Sequence, residues 1–352
     1  MKKLVIKIGS SSLVKGKGLN LINMRMLVEQ IYLLREKGVE VVLVTSGAIA
    51  AGVGKLSLKK KPMDIAKKQA LAAIGQPSLI KTYEQLFDEF SMPLAQILLN
   101  HDDFGSRNRT AHLTDTFNAL FSYGVVPVIN ENDALTVEEI KVGDNDTLSA
   151  LVALIVGADA LVLITDVDGL YDGNPNTDPS AKLIKIVDDI EEVLSLAEGT
   201  SSSVGTGGMK TKLSAAYIAT GAGIETRIMN VNKLQALSSV ADGEEVGTTF
   251  TAGEKKRSIK QSWLLYCATR EGKILVDNGA MRALLARKSL LICGVISTQG
   301  NFLSGSAVSI CDEEGREFAV GTTYFSAAEI NKISKLDKNQ IVVHAINIAL
   351  RG

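Results

Sequence analysis

With 352 residues, a formal net charge of −1, 46% hydrophobic and 22% charged residues, the chain has the composition of a globular protein. It is too long for one ordinary core, so an unequal pair of domains is expected. Its apolar runs fall far short of the ~20 residues of a membrane span. The start, MKKLVIKIGSSSL, has a short apolar stretch that contains Lys7, too polar for a signal sequence, and a cytoplasmic protein without membrane contact is expected. Cys267, Cys293 and Cys311 are widely spaced and accompany three histidines, which argues against a disulfide framework or a zinc site and predicts reduced thiols. The near-neutral total hides an asymmetry: residues 1–250 carry 24 Lys and Arg against 30 Asp and Glu, and residues 251–352 carry 14 against 9. A mildly basic C-terminal part permits contact with nucleic acid without requiring it.

In chain order, the strand candidates are LVIKI (4–8), VEVVLVT (39–45), PLAQILL (93–99), VVPVIN (125–130), ALVLIT (160–165) and TRIMNV (226–231). After the first, LINMRMLVEQIYLLREKG spaces its apolar residues at three and four and ends in glycine, which predicts an amphipathic helix. DNDTLSALVALIVGA predicts another, with capping residues at its front. Strands alternating with helices predict an α/β fold over residues 1–250, an open, mostly parallel sheet covered by helices on both faces. The charged run TAGEKKRSIKQ (251–261) reads as a linker. Short, glycine-punctuated strands over residues 262–352 predict a small β-barrel-like domain.

Ligands of an open parallel sheet bind outside the carboxyl ends of the strands, where loops and helix N-termini converge. There the sequence is polar or glycine-rich: Lys7 and GSSS at the first strand, TSGA (45–48) after the second, NEND (130–133) after the fourth and TDVDGLYDGNP (165–175) after the fifth. Lys7 interrupts an apolar strand, where an ammonium is costly unless paired. It reads either as a lysine snorkelling from an edge strand or as part of a phosphate site with the backbone amides of Gly9, Ser10, Ser11 and Ser12. Asp144, Asn145 and Asp146 are either plain helix caps or, with NEND upstream, an acidic, amide-rich cluster that reads an ammonium and a carboxylate together. Thr165 and Asp166 fit a turn as well as a site. TGGMKTK (206–212) lacks the P-loop and dinucleotide spacings. It precedes the apolar LSAAYIATGAG, so Thr206, Gly207 and Gly208 present amides at a helix start with Lys212 in the first turns, as a phosphate cradle or as a flexible loop.

Taken together, VKIGSSSL, VTSGAIAAG, PVINENDA, EIKVGDNDTLSALVA, TDVDGLY and GTGGMKTK resemble, in order and over roughly residues 1–250, the successive motifs of the amino acid kinase family, and in particular its branch acting on free L-glutamate. ILVDNGAMRALL, SLL and GNFLSGSAVSI resemble a PUA domain, found on that branch and on RNA-modifying enzymes; Ile292 stands where a proline usually follows the leucines. The resemblance implies phosphorylation of the glutamate side-chain carboxylate by ATP with Mg²⁺, as the first step of proline biosynthesis, together with feedback inhibition by proline and a homo-oligomer. It implies that Lys7 and Lys212 flank the transferring phosphoryl group with Asp146 orienting them, and that Ser46, Asp133 and Asn145 hold glutamate with Asn130 and Asp144 nearby. It further implies a nucleotide site of Lys7, Gly9, Ser10, Thr165, Asp166, Thr206, Gly207, Gly208, Met209, Lys210, Thr211 and Lys212. It names no magnesium ligands.

The chemistry agrees with the residue inventory. A carboxylate with a pKa of about 4.3 is ionised at neutral pH, so its attack on the γ-phosphorus needs no general base, which suits a chain with three histidines. The reaction needs two mutually repelling anions aligned and charge cancelled at the moving group. Two other readings stand beside this one. A kinase of the same fold acting on aspartate, acetylglutamate, carbamate or a nucleoside monophosphate would use the same scaffold. An ammonium read by Asp133 rejects an acetylated substrate strongly, whereas aspartate differs from glutamate by one methylene. An RNA-binding protein would instead stack bases on Trp263, Tyr266, Phe302, Phe318, Tyr324 and Phe325, although isolated aromatics in a small β domain are more often core.

Overall fold

The computed structural model describes residues 1–352 except 17, 59–61, 63, 136–144, 174, 176–177, 179, 194–206, 253–256, 333–339 and 352. The chain divides into two compact units, one of Met1–Asp103 and Thr110–Lys256, the other of Phe104–Arg109 and Arg257–Gly352.

The first unit is built on β1 (Lys3–Ile8), β2 (Glu40–Val44), β3 (Leu94–Leu99), β4 (Val126–Glu131), β5 (Ala160–Thr165), β6 (Ile186–Val187), β7 (Glu225–Asn230) and β8 (Thr248–Phe250). Their spatial order is β6-β8-β7-β5-β1-β2-β4-β3. The six strands expected from the sequence form the parallel part. Beyond it, β8 pairs antiparallel with β7 and carries β6 at the edge; strands of three and two residues are too short to show any alternation. β1 lies between β2 and β5, with Lys7 paired in register to Val44 and Leu163. Lys7 is therefore on a central strand, and the edge-strand reading of its ammonium is removed.

The longer helices described in this unit are α1 (Leu21–Glu36), α2 (Ala48–Lys55), α3 (Ile65–Asp88), α4 (Arg107–Ser122), α5 (Asn145–Val156) and α6 (Gly207–Gly221); the first residues of α4 are grouped with the second unit. In α1, Asn20 caps the start through its side chain, and Met24, Leu27, Val28, Ile31 and Leu34 form one buried stripe. That stripe packs on Leu4, Ile6, Ile8, Val41 and Leu43 of the sheet, as helical spacing requires. α5 is apolar on nearly every side and is buried accordingly.

Two glycine features place the loop after β2. Gly47 has φ 107°, a conformation that side chains disfavour, and it turns the chain from β2 directly into α2. α2 then packs on α3 with the backbones in near contact. A Cβ at Gly75 would stand 1.8 Å from Ala48 O and 2.4 Å from Gly52 N, and one at Gly52 would stand 2.1 Å from Leu71 O.

The second unit contains α7 (Ile259–Tyr266), β9 (Gly272–Val276), α8 (Asn278–Leu285), β10 (Val295–Gln299), β11 (Ala307–Cys311), β12 (Glu317–Thr322) and β13 (Ile348–Leu350). Its sheet has the order β10-β9-β11-β12-β13, antiparallel except for β9 beside β11. α7 starts inside the span that reads as a linker, because Ser258 and Gln261 form a reciprocal capping box that the surrounding charges obscure in the sequence. After Leu290–Leu291 the chain makes a short helical turn at Ile292–Gly294 without the usual proline. Phe302 is core with Ile274, Val308 and Ile310. Trp263, Tyr266, Phe318 and Phe325 are half-buried, and Tyr324 is exposed. Trp263 Nε1 donates to Phe104 O at 2.7 Å. Cys267, Cys293 and Cys311 are free thiols. Among the described residues, no helix is long and apolar enough to cross a membrane.

Because a methyl at Gly75 has to push α2 away from α3, Gly75→Ala is expected to destabilise the protein by about 2–3 kcal/mol. The urea unfolding midpoint reads this directly; an unchanged midpoint would show that the two helices move apart freely.

Candidate active site

The site begins at the carboxyl end of β1. Its neighbours bury both faces of the strand, and Lys7 is only 5% exposed. Such an ammonium needs a counter-charge, and Asp146 Oδ1 stands 2.5 Å from Lys7 Nζ. Asp146 sits in the first turn of α5 and is 1% exposed, so the acidic residue at this helix start faces inward instead of capping toward water. Its other oxygen, Oδ2, accepts from Lys212 Nζ at 3.1 Å and from Thr211 Oγ1 at 2.9 Å. Lys212, itself 8% exposed, also donates to Gly208 O one turn back in α6, at 3.1 Å.

Burial pushes the Asp146 carboxyl up, but the charges and hydrogen bonds of Lys7 and Lys212 outweigh that effect and hold its pKa below the ordinary 3.8. Asp146 is therefore ionised at neutral pH. One carboxylate between two ammonium groups leaves one positive charge over, in a setting where water screens it poorly.

This cluster opens on a cavity of about 540 Å³. Lys7, Gly9, Ser10, Ser46, Asn130, Asp133, Asn145, Asp146, Gly208, Thr211 and Lys212 all line it. A second polar group in the same wall is made of amides. Asn145 Nδ2 donates to Thr45 O at 2.6 Å and to Ser46 Oγ at 2.7 Å, and lies 3.1 Å from Asn130 Oδ1. The Oδ1 of Asn145 is buried without a hydrogen-bond partner among the described residues.

The remaining expected residues lie elsewhere. Thr165 ends β5 and donates to Asp166 Oδ1 at 3.0 Å, and Asn230, at the end of β7, donates to Asp166 O at 3.2 Å. Both threonine and aspartate stand at the carboxyl end of the sheet but outside the lining of this cavity. Gly207, Met209 and Lys210 begin α6 beside Gly208 without lining it. Asp144 and Thr206 lie outside the described residues. Ser11, expected with Gly9 and Ser10, also lines it, and the structure adds Val14, Gly47, Ala48, Ile49, Ala50 and Glu131. GSSS, TSGA and NEND pointed to most of these; Val14 and Ile49 carry no chemical signal that could have marked them.

The description "Amino acid kinase family" matches residues 2–230, and "PUA domain" matches residues 272–344. Among curated proteins, the chain is 44% identical over 342 residues to the glutamate 5-kinase of Thermoanaerobacter sp. strain X514, covering 96% of this chain and 92% of that one. It is 46% identical over 346 residues to the glutamate 5-kinase of Carboxydothermus hydrogenoformans, covering 97% and 92%. Among solved structures, the carbamate kinase from Giardia lamblia bound to AMP-PNP shares the fold with a TM-score of 0.52 at 16% identity, over 71% of this chain and 98% of that one.

Asp146→Asn strips the counter-charge from two buried ammonium groups and is expected to cost on the order of 3 kcal/mol at pH 7. The folded pKa of Asp146 lies below the unfolded one, so this stabilisation is present above about pH 4 and is lost as pH falls through the folded value. The difference in urea midpoint between wild type and D146N should therefore narrow below about pH 4. A difference that stays constant down to pH 3 would remove the ion-pair account.

Proposed function

The chain belongs to the amino acid kinase family, with the glutamate 5-kinases that carry a C-terminal PUA domain, and from that premise we infer that it transfers the γ-phosphoryl group of ATP to the side-chain carboxylate of L-glutamate. The product is L-glutamyl 5-phosphate, and the reaction is the first step of proline biosynthesis. The chain is thus an enzyme, a phosphotransferase with a carboxyl acceptor. The observation that carries the assignment of residues is the buried cluster in which Asp146 holds Lys7 and Lys212 on its two oxygens at the wall of one cavity.

In this reading Lys7 and Lys212 lie over the phosphoryl group in flight, and their surplus positive charge offsets the negative charge that gathers there. Asp146 keeps the two ammonium groups at fixed positions, so no reorganisation is needed as the group moves. Gly9, Ser10 and the start of α6, with Gly207, Gly208, Met209, Lys210 and Thr211, offer backbone donors to the nucleotide phosphates. Thr165 and Asp166 hold the rest of the nucleotide, from the neighbouring strand end. Ser46, Asn145 and Asp133 hold glutamate, with Asn130 behind them. Glutamate arrives with its side chain ionised, so no residue has to take a proton; the protein aligns the two anions instead.

Among the described residues, no three His, Cys, Asp or Glu side chains converge as a metal cage. Glu131 of the cavity lining offers a carboxylate that would hold a Mg²⁺ ion through its water. Bound there, it would screen the charge between nucleotide and acceptor.

Inhibition by proline and self-association are carried on the family resemblance, and a cytoplasmic location on the short apolar stretch at the start, which contains Lys7. An RNA-binding role has less support. Of the six aromatic side chains that would stack on bases, only Tyr324 is exposed, and Phe302 is core.

Lys7→Ala and Lys212→Ala are each expected to lower turnover on the order of 10² to 10³, the effect of losing one charge-stabilising donor. Trapping the acyl phosphate with hydroxylamine should give hydroxamate with glutamate and far less with aspartate or acetylglutamate. Near-wild-type turnover in both variants would remove the assignment of the lysines, and a hydroxamate signal with aspartate but not glutamate would overturn the substrate.

A further inference from the structure

Behind the amide group of the cavity wall stands a residue that carries no motif. Asn130 Nδ2 donates to Gln76 Oε1 at 2.8 Å. Gln76 projects from α3 and is half-buried. It lines not the site cavity but a neighbouring one of about 510 Å³, which shares Ala48, Glu131 and Asp133 with it. We propose that Gln76 is a positioning residue for glutamate, fixing which way round the carboxamide of Asn130 stands beside Asn145 in the cavity wall. The proposal rests on the assignment of Asn145 and Ser46 to the glutamate site.

A carboxamide turned over about its last bond fills nearly the same space, but its donor and acceptor ends change places. Packing cannot choose between the two orientations; hydrogen bonding has to. Thr45 O is a backbone carbonyl and only accepts, so Asn145 must present Nδ2 to it, at 2.6 Å. The same Nδ2 lies 3.1 Å from Asn130, which must answer with Oδ1. Asn130 is 2% exposed, so its Nδ2 has little water to turn to and needs a protein acceptor. Gln76 Oε1 supplies one. The row Gln76–Asn130–Asn145 thus has a single consistent polarity: the Thr45 carbonyl sets Asn145, and an acceptor at Gln76 lets Asn130 match it. Its outcome is that Asn130 turns an acceptor, and not a second NH₂ group, to the Nδ2 of Asn145, in a cavity wall that both residues line. Were Asn130 to turn over, two NH₂ groups would face each other, and Asn145, held by Thr45 O, would be pushed from its place in the wall.

Substitutions of similar volume at Gln76 separate this from packing and from charge. Gln76→Glu keeps an acceptor, Gln76→Met offers neither donor nor acceptor, and Gln76→Lys offers only donors. The expected KM for glutamate is within about threefold of wild type for Q76E, about 10-fold raised for Q76M and about 30-fold or more for Q76K. The KM for ATP should stay within about twofold in all three. Glutamate carries a net negative charge, so a purely electrostatic effect would give the reverse order, with lysine helping and glutamate hurting. Should Q76M fold poorly, the Glu-against-Lys order alone decides. In the background of Asn145→Ala, Q76M should add nothing further, because both act on one group.

Equal KM values across the series, the reverse order, or losses shared equally by glutamate and ATP would each overturn the role of Gln76. Asn145→Ala alone should raise the KM for glutamate at least about 10-fold. If it does not, the glutamate-site assignment itself fails, and the proposal fails with it by a separable result.

Discussion

Asp146 carries an ammonium on each of its oxygens, Lys7 at 2.5 Å and Lys212 at 3.1 Å, and all three groups are buried. None would be tolerated there alone, because each charge taken out of water needs a partner. The ratio matters as much as the contact. Two carboxylates would neutralise the lysines and leave nothing for a phosphate, while no carboxylate would leave two like charges repelling and free to turn away. One carboxylate for two lysines holds both in place and leaves a positive charge facing the cavity. The same group ties the end of β1 to the starts of α5 and α6, so the geometry of the site and the closure of that end of the unit are one constraint.

The scaffold makes that meeting possible by ordinary means. A parallel sheet brings strand ends and helix starts to one side, and the central position of β1 puts Lys7 in the middle of that side. α5 is apolar almost all round, so it sinks against the sheet and takes Asp146 down with it. On the other flank, the near contact of Gly52 and Gly75 with opposing backbone draws α2 onto α3, and the turn at Gly47 delivers Ser46 beside Asn145. Gln76, one residue beyond Gly75, is thereby brought within reach of Asn130. A helix crossing built from two glycines and a hydrogen bond to a buried amide are consequences of the same close approach.

Much of this was legible in the sequence, for identifiable reasons. The six parallel strands carry β-branched runs, and α1 and α5 carry helical spacing, so local pattern and global fold agree. Lys7 stood out because an ammonium inside an apolar strand demands an explanation, and Asp146 because a helix start held more acid than one cap uses. The pairing between them was not legible from spacing, since it joins elements that only the folded sheet brings together. The edge strands β6 and β8 were too short to announce themselves, and α7 was masked by the charges around its capping box. Gln76 gave no signal at all: a glutamine in a polar, helix-forming stretch looks like a solvated face until its partner is seen.

The two polar groups of the cavity do different physical work, and this bears on how one fold serves several acceptors. Attraction between a buried net charge and a phosphate is strong but weakly directional, so the lysine cluster can serve any acceptor brought to it. The amide group is the opposite. Each carboxamide has a donor end and an acceptor end, so a row with fixed polarity is directional where a net charge is not. On the proposed assignment, discrimination against an acetylated amino acid belongs to the loops after β2 and β4. Discrimination by chain length, worth only about 10- to 200-fold per methylene, depends on how far those loops stand from the lysines. The glycine contact between α2 and α3 fixes where α2 begins, and with it the position of Ser46 and Gly47 at the end of the loop after β2.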